Sequence, residues 1–210
     1  MLTIADLRKS LNPNLDAKRK SRFEVAFRSL VYQDDYCRYH YEQFHKQHQL
    51  HLDAMGGKLV DDEILNPQYF RIAFEANCFA FFRSLHALIE SVPYLLNLLI
   101  EVNKDSESRF ITWKTFENGP LSKKYNNGVS EIRVLLTSNS YKELEHIANV
   151  SKHRRIVRID SGMFSPKQNP RFCEDDFDMQ FRSYEIHDLM ETIYDDLHPQ
   201  IINTIKSFLH

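Results

Sequence analysis

The residues best placed to do chemistry form one polar and basic stretch, residues 149–155. On a helix, positions three and four residues apart share a face, so His146, Asn149 and His153 are expected to lie together. Histidine titrates near neutral pH and can move a proton to or from a hydroxyl or a leaving oxygen. Lysine and arginine, both present in the stretch, can stabilise charge that grows on a phosphate. These groups are the ones that metal-free cleavage of RNA requires.

The same stretch also has a purely structural interpretation. His153 could pack in a helical bundle with Asn149 as its hydrogen-bond partner. Arg154 and Arg155 could lie in solvent at a helix C-terminus, where the helix dipole favours cations. Basic clusters are common on protein surfaces, so the spacing alone leaves both interpretations open.

A capped helix is predicted to carry this stretch. Ser140 and Glu143 have the spacing of a capping box, in which the serine accepts from the backbone and the glutamate reaches back to the first turn. The helix is therefore expected to begin at Ser140.

Two long helices are predicted earlier in the chain. Apolar residues recur at helical spacing over residues 23–55, and a Gly-Gly pair follows them. Asn66 and Pro67 then form a helix start, because asparagine caps the first turn and proline is tolerated at its first position. The second helix is expected to continue to about Asn103.

The later part of the chain is predicted to be more irregular before it returns to helix. Residues 104–127 are rich in turn formers, with one short helix expected around Trp113. Polar and apolar residues alternate over residues 155–159 and 177–181, which predicts two short strands. Helical spacing resumes from Ser183. The pattern predicts an all-α fold, a four- to five-helix bundle with a small extended insertion, a β-hairpin, before the last helix.

Composition limits the domain number and the kind of partner. A chain of 210 residues with 42% apolar residues and five glycines is expected to form one helical domain, residues 1–210. Its 27 basic and 29 acidic residues give a net charge of -2. A nucleic acid would therefore have to bind a local basic patch rather than the field of the whole protein.

Cysteine spacing and hydropathy favour a soluble, cytoplasmic protein. Cys37, Cys78 and Cys173 are far apart and odd in number, which argues against a disulfide framework or a zinc site. The N-terminus lacks the pattern of a secretion signal. The most apolar run, residues 85–100, contains charged residues and is shorter than the ~20 apolar residues of a membrane span. No membrane association is expected.

The polar stretch and the helices around it resemble the HEPN superfamily of small helical bundles. The run Asn149-x-x-x-His153-Arg154 lies near the end of a helix, and the long helix before it contains residues 74–85, which are similar to a HEPN helix. The last helix is similar in character. The resemblance covers roughly residues 20–208 in layout.

This resemblance implies a homodimer with a metal-independent RNase site where two copies face each other. Active members carry an arginine, a polar residue, three variable positions and a histidine. Asn149 and His153 match this motif, but Ala148 stands at the position of the arginine. Similar spacings at Arg182 to His187 and at Arg38 to His45 occur outside the expected helical context.

Roles follow for each residue if the resemblance holds. His153 would transfer the proton, Asn149 would orient the phosphate or hydroxyl, and Arg154 would stabilise phosphate charge. Lys152, Arg155 and Arg83 would bind the substrate, with Glu75 also close to the turn. The chain would then act in a prokaryotic stress, toxin or phage-defence system, with RNA as its partner and without a metal or other cofactor.

Two further hypotheses remain beside this one. The alanine at the arginine position favours a non-catalytic module that dimerises or binds a partner protein. A metal-binding helical bundle is the third hypothesis, because two Glu-x-x-His spacings, Glu42 to His45 and Glu143 to His146, occur on separate helices. His48 and His51 extend the histidine spacing that starts at His45, which could also suit a metal ion.

Overall fold

The chain is mostly helical, with one small sheet just before the last helix. The computed structural model describes residues 4–11, 13–58, 66–105, 108, 110–117 and 120–209. The described residues form eight α-helices and one two-stranded antiparallel sheet. The helices are α1 (Ile4–Ser10), α2 (Ala17–Met55), α3 (Pro67–Ile100), α4 (Trp113–Glu117), α5 (Pro120–Lys124), α6 (Asn126–Thr137), α7 (Asn139–His153) and α8 (Ile186–Lys206). The predicted all-α class with a small extended insertion is confirmed, although short helices raise the number above five.

The two long helices form as their local sequence predicts. Helix α2 begins before the first apolar residue of its pattern, because the Asp16 carboxylate accepts a hydrogen bond from the Arg19 backbone N–H at 2.8 Å and caps the first turn. It ends just before Gly57, which has a positive φ of 69°. Helix α3 begins where Asn66 Oδ1 accepts from the Gln68 backbone N–H at 3.0 Å.

Helix α3 is the apolar core helix of the chain. Among the described residues it is the one helix that is long and apolar enough to cross a membrane by length and composition alone. Half of its most apolar window is buried against the rest of the protein, and core helices of soluble proteins commonly pass the same test. Its burial therefore fits the core helix that was expected from the sequence.

The start of α7 differs from the predicted capping box. Ser138, not Ser140, caps the helix: its Oγ accepts from the Tyr141 backbone N–H at 3.1 Å. The Ser140 hydroxyl donates to Asp196 Oδ2 instead. Glu143 is buried and binds the Arg182 guanidinium at 2.9 Å, so it does not reach back to the helix start.

The first strand begins at the last residue of its predicted segment, and the second strand lies elsewhere than predicted. Strand β1 (Ile159–Asp160) pairs antiparallel with strand β2 (Arg171–Phe172), with Ile159 opposite Phe172. Residues 177–181 form no strand, because the Phe177 and Phe181 rings pack on each other at 4.5 Å between centroids instead of alternating along a sheet. One turn of 3-10 helix, Glu174–Asp176, precedes them.

The contacts between residues divide the chain into two compact units, and both long helices contribute to each. The first unit comprises Met1–Asp34, Ala87–Lys142 and Asp195–His210. In its core the Phe208 ring lies 5.6 Å from that of Phe116 and 5.5 Å from that of Tyr125.

The second unit comprises Asp35–His86 and Glu143–Tyr194. Its core is aromatic: Phe74 packs edge-on against Phe44 at 6.1 Å, and Phe82 lies 6.1 Å from Phe172. All of the residues predicted to form the site belong to this second unit.

Candidate functional site

Helix α7 ends in a short exposed face. Its buried side packs Leu144, Ile147 and Val150 into the core of the second unit. On the other side Asn149, Lys152 and His153 are all exposed, and they are three and four positions apart on the last turns of the helix. We call these three residues the α7 polar face. None of these three side chains has a hydrogen-bond or ion-pair partner within the described part of the chain.

His146 does not join this face, contrary to the expectation that three polar groups would converge. Its ring lies 5.8 Å from that of Phe177 and 6.0 Å from that of Phe181. Its Nε2 atom is buried without a hydrogen-bond partner in the described residues. Burial lowers the pKa of His146, the nearby arginines 154 and 155 lower it further, and Asp178 opposes the shift. His146 is therefore a packed histidine whose surroundings favour the neutral ring.

Arg83 lies at the end of α7, as the sequence predicted, but its guanidinium is bonded to the helix itself. Its Nε donates to Ser151 Oγ at 3.2 Å, and its Nη2 donates to the Ser151 backbone carbonyl. A cation placed on the last carbonyls of a helix satisfies them and interacts favourably with the helix dipole. Arg83 therefore fixes the helix end beneath the α7 polar face. Glu75, which was also expected near the turn, accepts from Arg71 at 2.8 Å instead.

Residues 174–178, which we call the acidic segment, pair with the arginines that follow α7. Arg154 binds Asp178 at 3.0 Å, and Arg155 donates to the backbone carbonyl of Asp176. The Asp176 carboxylate accepts from the Arg158 backbone N–H at 2.7 Å and from its Nε at 3.1 Å. These hydrogen bonds hold the pKa of Asp176 below its usual range. The segment therefore partly neutralises the predicted basic cluster and leaves Lys152 as its unpaired cation among the described residues.

Ala148 explains why the predicted motif is incomplete. Its side chain is fully buried in the core, although the next residue, Asn149, is exposed. A long charged side chain could not lie there without losing its hydration. Any charge that stabilises a phosphate at this turn must therefore come from Lys152, from Arg155, which is bonded to a backbone carbonyl and not to a carboxylate, or, when its ion pair opens, from Arg154.

The second unit contains another polar cluster that the sequence did not assign. His187 Nδ1 lies 3.0 Å from His45 Nε2 and 3.2 Å from the Tyr41 hydroxyl. That hydroxyl donates to Glu191 Oε1 at 2.6 Å, and the same carboxylate oxygen lies 3.7 Å from His187 Nε2. Burial lowers the pKa of His45 to about 4, and the charges of His187 and His48 contribute. We call these four residues the Tyr41–Glu191 cluster.

Two regular spacings in the sequence could have indicated this cluster. Tyr41 and His45 are four residues apart on α2, and His187 and Glu191 are four residues apart on α8, so each pair shares one helix face. Nothing in the sequence indicated that these two faces meet. His187 is the histidine of the Arg182 to His187 spacing, but Arg182 is bound to Glu143.

Four of the residues proposed for a metal-binding bundle are held by other partners, whereas His45 belongs to the Tyr41–Glu191 cluster. Glu143 binds Arg182, and His146 packs among phenylalanines. His48 Nε2 lies 2.7 Å from the Ser161 carbonyl, and His51 Nδ1 lies 3.2 Å from the Pro67 carbonyl. Across the described residues, no group of three or more His, Cys, Asp or Glu side chains is arranged to hold a metal ion.

Comparison of the chain with protein-family models, with curated proteins and with solved structures found no match in any of the three.

Proposed function

We propose that this chain is an RNA-directed protein of HEPN type and that the α7 polar face contacts the RNA backbone. The observation that carries the proposal is a contrast between paired and unpaired side chains at the end of α7. Asn149, Lys152 and His153 are exposed without partners among the described residues, whereas the arginines beside them are held by an acidic segment. The resemblance to HEPN bundles in the same residues supports the choice of RNA as ligand.

The chemistry of the α7 polar face suits a phosphodiester. The Lys152 ammonium would pair with a non-bridging phosphate oxygen, and the Asn149 amide would donate a hydrogen bond to a second oxygen or accept one from a ribose hydroxyl. His153 would take the proton from a 2′-hydroxyl as it attacks the adjacent phosphorus to form a 2′,3′-cyclic phosphate. The bond from phosphorus to the 5′-oxygen would break, and that leaving oxygen would take a proton from water. Because Arg83 and the acidic segment fix the helix end, the three groups would be held in place before the RNA binds.

Cleavage and binding can be separated in one experiment. Purified protein is incubated with a structured RNA in EDTA, beside a His153→Ala variant, and both the cut products and the bound RNA are measured. Cleavage by the wild type that the variant loses would identify a metal-independent RNase. Retention of RNA without cleavage would identify an RNA-binding protein, as expected of a non-cleaving component of a prokaryotic stress, toxin or phage-defence system. A wild type that neither binds nor cuts the RNA would contradict the proposal.

A second function is favoured by Ala148. Because this motif position is buried and holds no arginine, the chain could instead be a non-catalytic module that dimerises or binds a partner protein. Its oligomeric state, measured by analytical ultracentrifugation over a range of concentrations, tests this alternative. A concentration-dependent dimer that ignores RNA would favour the module, whereas a monomer that binds RNA would exclude dimerisation as its role.

A further inference from the structure

The Tyr41–Glu191 cluster places nitrogen and oxygen donors from two helices at one point of the second unit. Tyr41 and His45 come from α2, and His187 and Glu191 come from α8. Their polar atoms form a continuous series of short contacts, from His45 Nε2 to His187 Nδ1 at 3.0 Å, then to the Tyr41 hydroxyl at 3.2 Å and on to Glu191 Oε1 at 2.6 Å. All four side chains are half-buried or exposed, so solvent and small ions can reach them.

The spacing of three of these atoms matches the spacing of ligands around a transition metal. Bonds from such a metal to imidazole nitrogen are about 2 Å long, so neighbouring ligand atoms in a tetrahedral or octahedral site lie about 3 Å apart. His187 Nδ1 lies at this spacing from both His45 Nε2, at 3.0 Å, and the Tyr41 oxygen, at 3.2 Å. Imidazole is also a preferred ligand of zinc, copper and nickel.

One tautomer of His187 satisfies both of its contacts in the cluster. The Tyr41 hydroxyl donates its proton to Glu191, so its oxygen would accept in the contact with His187. With a proton on Nδ1, His187 would share it between the Tyr41 oxygen and His45 Nε2. A metal ion would take the place of this shared proton, because all three surrounding atoms would then direct a lone pair towards it.

Glu191 would orient the ligands rather than bind the metal. Once His187 binds through Nδ1, its remaining proton moves to Nε2, which lies 3.7 Å from Glu191 Oε1. Histidine ligands commonly donate their other ring N–H to a carboxylate in this way. The same carboxylate would accept the proton that Tyr41 loses on becoming a phenolate, and that proton then passes to solvent.

We propose that His45, His187 and Tyr41 bind one divalent transition-metal ion, with Cu²⁺ bound more tightly than Zn²⁺. No three His, Cys, Asp or Glu side chains of the described residues surround a common point, so the phenolate oxygen of Tyr41 has to be the third protein ligand. Water would complete the coordination. The order of the two metals follows the general affinity series of divalent ions. The site does not involve the α7 polar face and does not rest on RNA binding.

Metal binding can be tested with chelator-treated full-length protein. The protein is titrated with Cu²⁺ against a competing chelator, and separately with Zn²⁺, while bound metal is counted by mass spectrometry and the visible spectrum is recorded. We expect His45→Gln and His187→Gln to lose one bound Cu²⁺ per chain relative to the wild type, or to bind it at least tenfold more weakly. Tyr41→Phe should lose the visible phenolate-to-copper absorption band.

A matched control is available on the same helix. His40 also lies on α2, where its Nδ1 pairs with Asn77 Oδ1 at 2.8 Å, so His40→Gln should leave the count, affinity and band unchanged. The proposal is wrong if His45→Gln and His187→Gln bind as much Cu²⁺ as the wild type, or if His40→Gln loses the same amount. If the histidine variants fail to fold, Tyr41→Phe decides the matter, because an unchanged copper spectrum in that folded variant overturns the site.

Discussion

His146 shows how one residue of a predicted site can belong to the core instead. Its Nε2 atom is buried beside Phe177 and Phe181 without a hydrogen-bond partner in the described residues. An unpaired buried polar atom costs free energy relative to an apolar group of the same shape. Exposed Asn149 and His153, about one and two turns further along, carry no such cost.

Stability should depend on pH through His146. Burial lowers its pKa in the folded protein, so the unfolded chain takes up the proton more readily. The stability contributed by the neutral ring is therefore complete above the unfolded-state pKa of about 6.5 and is lost as the pH falls below it. We expect His146→Leu to be at least as stable as the wild type at neutral pH and to lose less stability on acidification. Urea unfolding of both proteins at neutral pH and at a pH below about 6.5 measures these losses of stability. Equal losses in the two proteins would refute the prediction.

The sequence predicted some of these residues correctly and could not have predicted others. Spacing on one helix is enough to predict that Asn149 and His153 share a face, and both are exposed together. The burial of His146 depends on Phe177 and Phe181, which lie 31 and 35 positions later in the sequence. Helical spacing around His146 gives no signal of contacts at that distance. The meeting of His45 with His187 is likewise a contact between residues 142 positions apart.

At the scale of elements, α7 is held in place at both ends by side chains from elsewhere in the chain. Near its start Glu143 accepts from both the backbone N–H and the guanidinium of Arg182. At its end Arg83 binds Ser151. The position of the α7 polar face therefore depends on two contacts outside the helix.

Glu143→Gln should destabilise the protein much more than Glu145→Gln. Glu143 is 2% exposed, and its loss leaves Arg182 without the carboxylate that binds it, which we expect to cost about 2 kcal/mol or more. Glu145 lies on the same helix but is exposed, so its replacement should cost less than about 0.5 kcal/mol. Denaturant unfolding of the two variants measures the difference. Similar values for both would show that the Glu143 to Arg182 pair contributes nothing.

Arg83→Met should also weaken the protein, because it removes two hydrogen bonds at the end of α7 and keeps most of the aliphatic packing. Hydrogen bonds from a charged donor contribute about 1.5–3 kcal/mol each at most, and partial exposure reduces this, so a loss of about 1–2 kcal/mol is expected. Arg133→Met on α6, where the arginine is exposed, is the matched control and should have little effect. A loss no larger than that of the control would mean that Arg83 does not hold the helix end.

Helix boundaries were predictable where their signals are local. Asn66 with Pro67 and the Gly-Gly pair after Met55 mark the start of α3 and the end of α2, and both are found in the structure. The capping box at Ser140 was wrong because Glu143 has a stronger partner 39 residues away. The second predicted strand was wrong because two of its apolar residues pack as rings around His146.

At the scale of the whole molecule, the net charge of -2 gives RNA no general attraction. Under the proposal, binding would therefore rest on Lys152 of the α7 polar face and on the arginines beside it. If Lys152 and one further cation contact phosphates, the logarithm of affinity should fall with the logarithm of salt concentration with a slope of about -1.4 for single-stranded RNA. Fluorescence anisotropy at several salt concentrations gives this slope. A slope near zero would rule out phosphate contacts, and a much steeper one would require a larger basic surface than this face provides.

The fold class could be predicted from the sequence, because helical spacing extends over most of the chain and glycine is scarce. The function could not be predicted with the same support. A face that could bind phosphate is defined by which side chains remain exposed and unpaired. In this chain the pairing of the basic residues depends on the acidic segment around Asp176. Only the folded structure reveals that Asp176 pairs with Arg158.

The central claim, that the α7 polar face contacts RNA, is tested most directly by comparing two lysines of one helix. Lys152 lies on that face, and Lys142 is equally exposed near the start of α7. Both are changed to glutamine, and the affinity for a labelled single-stranded RNA is measured at low salt. We predict that Lys152→Gln weakens binding about tenfold, whereas Lys142→Gln leaves it unchanged. Equal effects of the two lysine substitutions, or no binding by the wild type, would contradict the claim.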